Sequence, residues 1–223
     1  CRNVLAIPSK LILWNRRFSN HSISEETESA LAGYLAYRDA PAFRESVYRL
    51  NQYSPVADLK ALYRNKHIAW GYRLFLGLPI TLVSDVLLPG RIFPWGDYYN
   101  AFTNTVHIYS DDAAIALHEA GHAYDFSRAR RKGTYALVRV LPLVDLHQEW
   151  RATEEALDYF RHTGDRKAEA DAYRILYPAY GTYVGGYAFT PIGTVIGAIT
   201  GHIKGRGRAA ELERSNAAKG SAQ

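Results

Sequence analysis

Two imidazoles four residues apart, with a carboxylate beside the first, stand at His118-Glu119-Ala120-Gly121-His122. No other residues of the chain are as well suited to holding a metal ion and hydrolysing a bond with it. On an α-helix, positions i and i+4 share one face, so both rings can reach a single ion. Catalytic zinc takes three protein ligands, keeps one position open and lowers the pKa of its water to about 7, and a neighbouring glutamate can then take the proton. The spacing therefore predicts His118 and His122 as ligands of Zn2+ and Glu119 as general base. A third ligand must come from elsewhere in the chain.

The elements that must position these groups are legible around them. Ser110-Asp111-Asp112 reads as an N-cap serine followed by two acids that complement the helix dipole, which predicts a helix from near Asp111 to Phe126. Arg128, Arg130, Arg131 and Lys132 follow, and their place at the helix end favours dipole capping over nucleic-acid binding. Downstream, Asp145, His147, Glu149, Glu154 and Glu155 are candidates for the third ligand on a second helix. There the apolar stripe is Ala152, Ala156, Leu157 and Phe160, and Glu149 falls on it, whereas Glu154, Glu155, Arg151 and Asp158 face away. A carboxylate on a buried stripe needs a partner, and a metal is one. Glu149 is the expected third ligand.

HExxH followed after 26 intervening residues by Glu149-Trp150-Arg151-Ala152 resembles the gluzincin metallopeptidases, in particular those with a later ExxAD motif. The resemblance covers roughly residues 100–160. It implies zinc on His118, His122 and Glu149, Glu119 as general base, and a peptide or protein substrate. Thr153 stands where the pattern has aspartate, a residue that often holds a ligating histidine in orientation. Asp125, three residues beyond His122 on the same face, is the candidate to take that role. Residues 98–102 and 105–109, about Thr103-Asn104, predict a β-hairpin leading into the site. In zincins such a sheet edge commonly receives the extended substrate. His107 and Tyr109 are read first as exposed strand positions, with lining a cleft as the alternative.

The remainder reads as helices, a small sheet, then helices. Ser22 and Glu25 have capping-box spacing. Pro41 opens a helix carrying Phe43, Val47, Leu50 and Tyr53, and Pro55 opens another carrying Val56, Leu59, Leu62 and Tyr63. Residues 80–88, rich in β-branched side chains, predict a strand. The expected class is α+β and zincin-like, mostly helical with a small sheet or hairpin before the metal-binding helix. With 223 residues, of which 48% are hydrophobic, one domain over 21–203 is expected, preceded by a tether at 1–20 and followed by a basic, disordered tail at 204–223.

Both ends carry membrane signals. Cys1 is the only cysteine and there is no methionine, so the chain resembles a mature bacterial lipoprotein, acylated on Cys1 and held on the extracytoplasmic, periplasmic side of a membrane. Val4, Leu5, Ile7, Leu11 and Trp14 interleaved with Lys10, Arg16 and Arg17 form an interfacial pattern. A net charge of +5 suits an anionic membrane surface and excludes strong nucleic-acid binding. From Ile175 to Ile203 there is no Asp, Glu, Lys or Arg. Prolines, tyrosines and glycines make this run polar for hydrocarbon, so packed helices are expected first and a membrane hairpin second. Tyr177, Tyr180 and Tyr183 are read first as core aromatics, with one of them reaching the metal site as an electrophilic tyrosine as the alternative. Gly193, Gly197, Gly201 and Gly205 recur every four residues as a smooth face suited to tight packing, including packing onto a membrane protein complex. The two functional expectations are a membrane-tethered zinc peptidase and, alternatively, a noncatalytic zincin-fold lipoprotein subunit docking through that glycine face.

Overall fold

A computed structural model describes residues 5–93, 96–187 and 191–220. Helices predominate, and the α+β class of the sequence reading holds. In chain order, α1 (Ile7–Leu13), α2 (Glu25–Tyr37) and the short α3 (Pro41–Arg44) lead into β1 (Val47–Leu50). Then come α4 (Pro55–Arg64) and a continuous helical run over 70–87, here α5, with π-helical stretches at Arg73–Gly77 and Leu82–Leu87. β2 (Tyr98–Asn100) and β3 (Thr105–Ile108) precede α6 (Ala113–Arg128), α7 (Lys132–Val138), α8 (Pro142–Thr163), α9 (Arg166–Gly186) and α10 (Pro191–Gly220).

The sheet has the order β1-β3-β2. β3 pairs parallel with β1, Val47 opposite Thr105, and antiparallel with β2, Tyr98 opposite His107. The expected hairpin is present, and Asn104 takes the left-handed conformation (φ 52°) in its turn, a conformation asparagine tolerates. All four residues of β3 are buried, because the strand is covered on both faces. His107 and Tyr109, 2% and 1% exposed, are therefore not exposed strand positions.

α6 is enclosed on most sides, with eleven of its sixteen residues buried. Leu117, Ala120 and Ala123 share the main core with Leu31, Tyr34, Val106, Ile108, Ala156, Leu157 and Leu176. The small residues let α8 approach closely: a Cβ at Gly121 would sit 3.0 Å from the Ala152 carbonyl oxygen. α2 is tied to α8 by Arg38, whose Nε and Nη2 reach Glu155 at 2.7 Å and Asp158 at 2.5 Å.

Several local expectations are corrected. The cap of α6 is Asp112, whose side chain accepts from the Ala114 and Ile115 amides at 3.0 and 3.4 Å. Ser110 instead bonds Asp97, and Asp111 accepts from Ser24 Oγ (2.6 Å) and Thr27 Oγ1 (2.8 Å) at the start of α2. That helix is capped by Ser24 rather than Ser22. The helix opened by Pro41 ends at Arg44, and Val47 to Leu50 pair with β3. Of the predicted strand at 80–88, residues 80–87 are helical, and Thr81 and Asp85, one turn apart, both turn inward toward Asn100. Helix also continues through the supposed tail to Gly220.

α9 and α10 form the tightest contact in the molecule. A Cβ at Gly197 would lie 2.9 Å from the Gly181 carbonyl carbon, and at Gly201 it would lie 2.5 Å from Pro178 Cα. Gly193 and Gly205 likewise abut Gly185 and Tyr173. The four-residue glycine face thus packs against this chain's own α9, and Gly193, Gly197 and Gly201 also line a groove of about 970 Å³ beside that seam. No helix among the described residues is long and apolar enough to cross a membrane. Cys1 lies outside the described residues.

Candidate metal centre

His118 and His122 project from α6 and Glu149 from α8, the helices that Gly121 allows to approach. His118 Nε2 is 3.2 Å from Glu149 Oε2, and His122 Nε2 is 3.3 Å from Glu149 Oε1. Ligands about 2.1 Å from a tetrahedral zinc are about 3.4 Å apart, close to these two separations, which run to different oxygens of Glu149, and the three residues offer ligand atoms within 4.8 Å of one another. Glu149 is 1% exposed and His122 6%. The three sequence-predicted ligands are brought together, and the donor set of two imidazoles and one carboxylate suits zinc.

The electrostatics divide the two histidines. Burial holds the His122 imidazole down at about 4 and so neutral at pH 7, the form that binds metal. Burial alone would raise Glu149, but His122 and His118 overcome it and hold the carboxyl well below the usual range. Burial opposes the charged form of His118, yet its bond to Glu149 leaves its pKa raised. Glu119, 9% exposed, is pushed up by burial to about 8. In the metal-free site it is therefore mostly the neutral acid at pH 7, and it becomes the carboxylate that a general base needs as pH rises through about 8.

The residues around the ligands divide differently from expectation. Thr153 Oγ1 lies 3.3 Å from His118 Nδ1, so the residue in the aspartate's place touches the histidine. Asp125 does not orient a ligand: among the described residues its hydrogen bonds come from Tyr135 and from Arg151 Nε at 2.5 Å. Sequence reasoning missed Arg139. Its guanidinium donates to Glu149, pairs with Asp145 at 3.1 Å and lies 3.4 Å from His122 Nδ1. The available signal was its isolation, since it is the only charged residue between Lys132 and Asp145. The basic cluster after α6 acts partly as expected, with Lys132 Nζ donating to the carbonyls of Phe126, Ser127 and Ala129.

Two cavities reach the centre. His122 helps line one of about 530 Å³, walled by Tyr98, Tyr99, Phe102, Phe126 and Tyr135. His118 and Glu119 line another of about 270 Å³, together with Tyr183. Tyr183 is 41% exposed and faces this cavity rather than the core. β3 has a neighbour on each side, so the free edge nearest the centre belongs to β2, whose residues line the larger cavity.

Comparison of the chain with protein-family models, curated proteins and solved structures found no match.

Proposed function

We propose that this protein is a zinc-dependent peptidase of zincin-like fold, with His118, His122 and Glu149 as the ligands and Glu119 as general base. The observation that carries the reading is the pair of 3.2 and 3.3 Å separations between the imidazoles of one helix and the carboxylate of another, with Glu119 beside them. Zinc held there would act as a Lewis acid on a scissile carbonyl and acidify water. Glu119 would take a proton from the attacking water and return it to the leaving nitrogen. Thr153 would steady the His118 ring through Nδ1. The larger cavity, walled by aromatic rings, would take a bulky apolar side chain of the substrate, and the edge of β2 would hold its backbone.

We place the enzyme at a membrane surface, outside the cytoplasm. Support comes from exposed Leu5, Ile7, Leu11 and Trp14, which lie along and beside α1, a pattern suited to a headgroup layer. The noncatalytic reading would use the groove of about 970 Å³ lined by Gly193, Gly197 and Gly201 beside the α9–α10 seam.

The test combines metal analysis with digestion of a peptide library by wild type and Glu119→Gln. The reading expects bound zinc in both forms and cleavage by wild type alone, enriched for bulky apolar residues beside the cut bond. Zinc without cleavage by either form would refute the peptidase assignment.

A further inference from the structure

Away from His118, His122 and Glu149, three other buried side chains converge from separate elements: Asp58 of α4, Asp85 of α5 and His107 of β3. They are 1%, 1% and 2% exposed, and one potential ligand atom of each lies within 4.8 Å of the other two. Their charges are unevenly compensated. Arg49 Nε and Nη2 both reach Asp58 Oδ1, at 2.8 and 2.7 Å. Asp85 receives neutral donors: Ser84 Oγ at 2.6 Å and the Tyr98 hydroxyl at 2.9 Å on Oδ1, and Asn100 Nδ2 at 2.7 Å on Oδ2. A carboxylate this deep calls for a cation.

The imidazole supplies the independent observation. The His107 ring stacks on Tyr98 with centroids 4.6 Å apart and planes 18° apart, and its Nδ1 faces the Tyr109 hydroxyl at 3.5 Å. That orientation aims Nε2 into the cluster, where it is buried and has no hydrogen-bond partner among the described residues. It stops 4.0 Å from Asp85 Oδ2. This is too long for a hydrogen bond and about 0.6 Å wider than the tetrahedral edge of about 3.4 Å, so the ligands would draw in by that much around an ion.

We propose that Asp58, Asp85 and His107 form a second metal site. It takes zinc or another first-row divalent cation through two carboxylate oxygens and one imidazole nitrogen. Because the three ligands come from α4, α5 and the central strand, the ion clips the α4–α5 layer to the sheet. The role is structural and separate from the proposed hydrolytic centre.

The test counts metal on the intact chain. Wild type, His118→Ala/His122→Ala, Asp85→Asn and the triple variant are loaded with excess zinc, or in parallel with manganese, then desalted. Metal per chain is measured by mass spectrometry, and melting temperature is read with and without chelator. The expected result is two ions in wild type, one in His118→Ala/His122→Ala, one in Asp85→Asn and none in the triple variant. Chelation should lower the melting temperature of His118→Ala/His122→Ala and leave that of the triple variant unchanged. His107→Gln repeats the Asp85→Asn arm should that variant fold poorly. A folded His118→Ala/His122→Ala protein that carries no metal overturns the second site alone. One ion in wild type that persists in His118→Ala/His122→Ala and disappears in Asp85→Asn upholds the second site and removes the first.

Discussion

Gly121, between the two histidines of the motif, gives the sharpest test of how packing sets the metal centre. In Gly121→Ala the new Cβ meets Ala152 O at 3.0 Å, Glu155 Cβ at 3.1 Å and Ala152 Cα at 3.2 Å. Two of these atoms are backbone and cannot swing away. Comfortable contact begins at about 3.5 Å, so α6 and α8 must part by roughly 0.3 to 0.5 Å. The same parting widens the gaps of 3.2 and 3.3 Å between the imidazoles and Glu149 past the tetrahedral edge of about 3.4 Å. For stability, overpacking costs about 1–3 kcal/mol and replacing a helical glycine recovers about 1 kcal/mol. The net expectation is a loss of about 1 kcal/mol. Gly207→Ala is the control, because a Cβ on that α10 glycine meets nothing within 4 Å, and there the gain of about 1 kcal/mol should appear in full. The two variants should thus differ by about 2 kcal/mol, or 0.7 to 1 M in urea midpoint at a slope of about 2–3 kcal/mol/M. Zinc affinity, measured by competition with a chromophoric chelator, should fall about tenfold or more in Gly121→Ala and stay unchanged in Gly207→Ala. Equal stabilisation by both substitutions, or unaltered zinc affinity in Gly121→Ala, would refute the argument that this contact sets the ligand spacing.

Three further outcomes follow from contacts at or near the site. Thr153→Val removes the hydroxyl 3.3 Å from His118 Nδ1 at constant shape and should weaken zinc by about 10- to 100-fold, read by the same competition assay; Thr153→Asp should restore affinity. Arg139→Ala removes the cation that donates to Glu149, so chelator competition should show tighter zinc while the metal-free protein melts at a lower temperature. Burial pushes Asp112 up to about 6, so the folded state takes up a proton between about pH 4 and 6, and stability falls as pH rises through that window by up to about 1.4 kcal/mol per unit. Asp112→Asn keeps a good cap, and its urea midpoint should lack that slope between pH 4 and 6.

How far the sequence revealed this molecule depended on whether local pattern or distant partners decided the outcome. Glu149 was legible because a carboxylate on an apolar stripe is a local contradiction that needs a ligand, and the hairpin was legible through its alternation about Thr103-Asn104. The cap of α6 was not, because Ser110, Asp111 and Asp112 are each competent, and Asp97 and Ser24 claim the first two. Residues 80–88 misled through their β-branched composition, while the pairing of Thr81 with Asp85 at helical spacing carried the better signal. His107 was misplaced because alternation implies one wet face, and here both faces of β3 are covered. The recurring glycines were correctly read as a packing face, but only the fold shows that the partner is the chain's own α9.

The enclosure of α6 has a consequence for how the protein would respond to metal supply. The histidines sit on a helix packed along most of its circumference, and Glu149 is already at ligand distance. Amides of residues 113–128 should therefore be among the slowest to exchange with deuterated solvent even without metal, and zinc bound at this centre should slow them further, because it binds the folded state alone. A zinc finger, by contrast, gains its fold from its ion. On the proposed reading, loss of the ion would leave the same fold, less stable but intact, so activity could be withdrawn and returned without new synthesis.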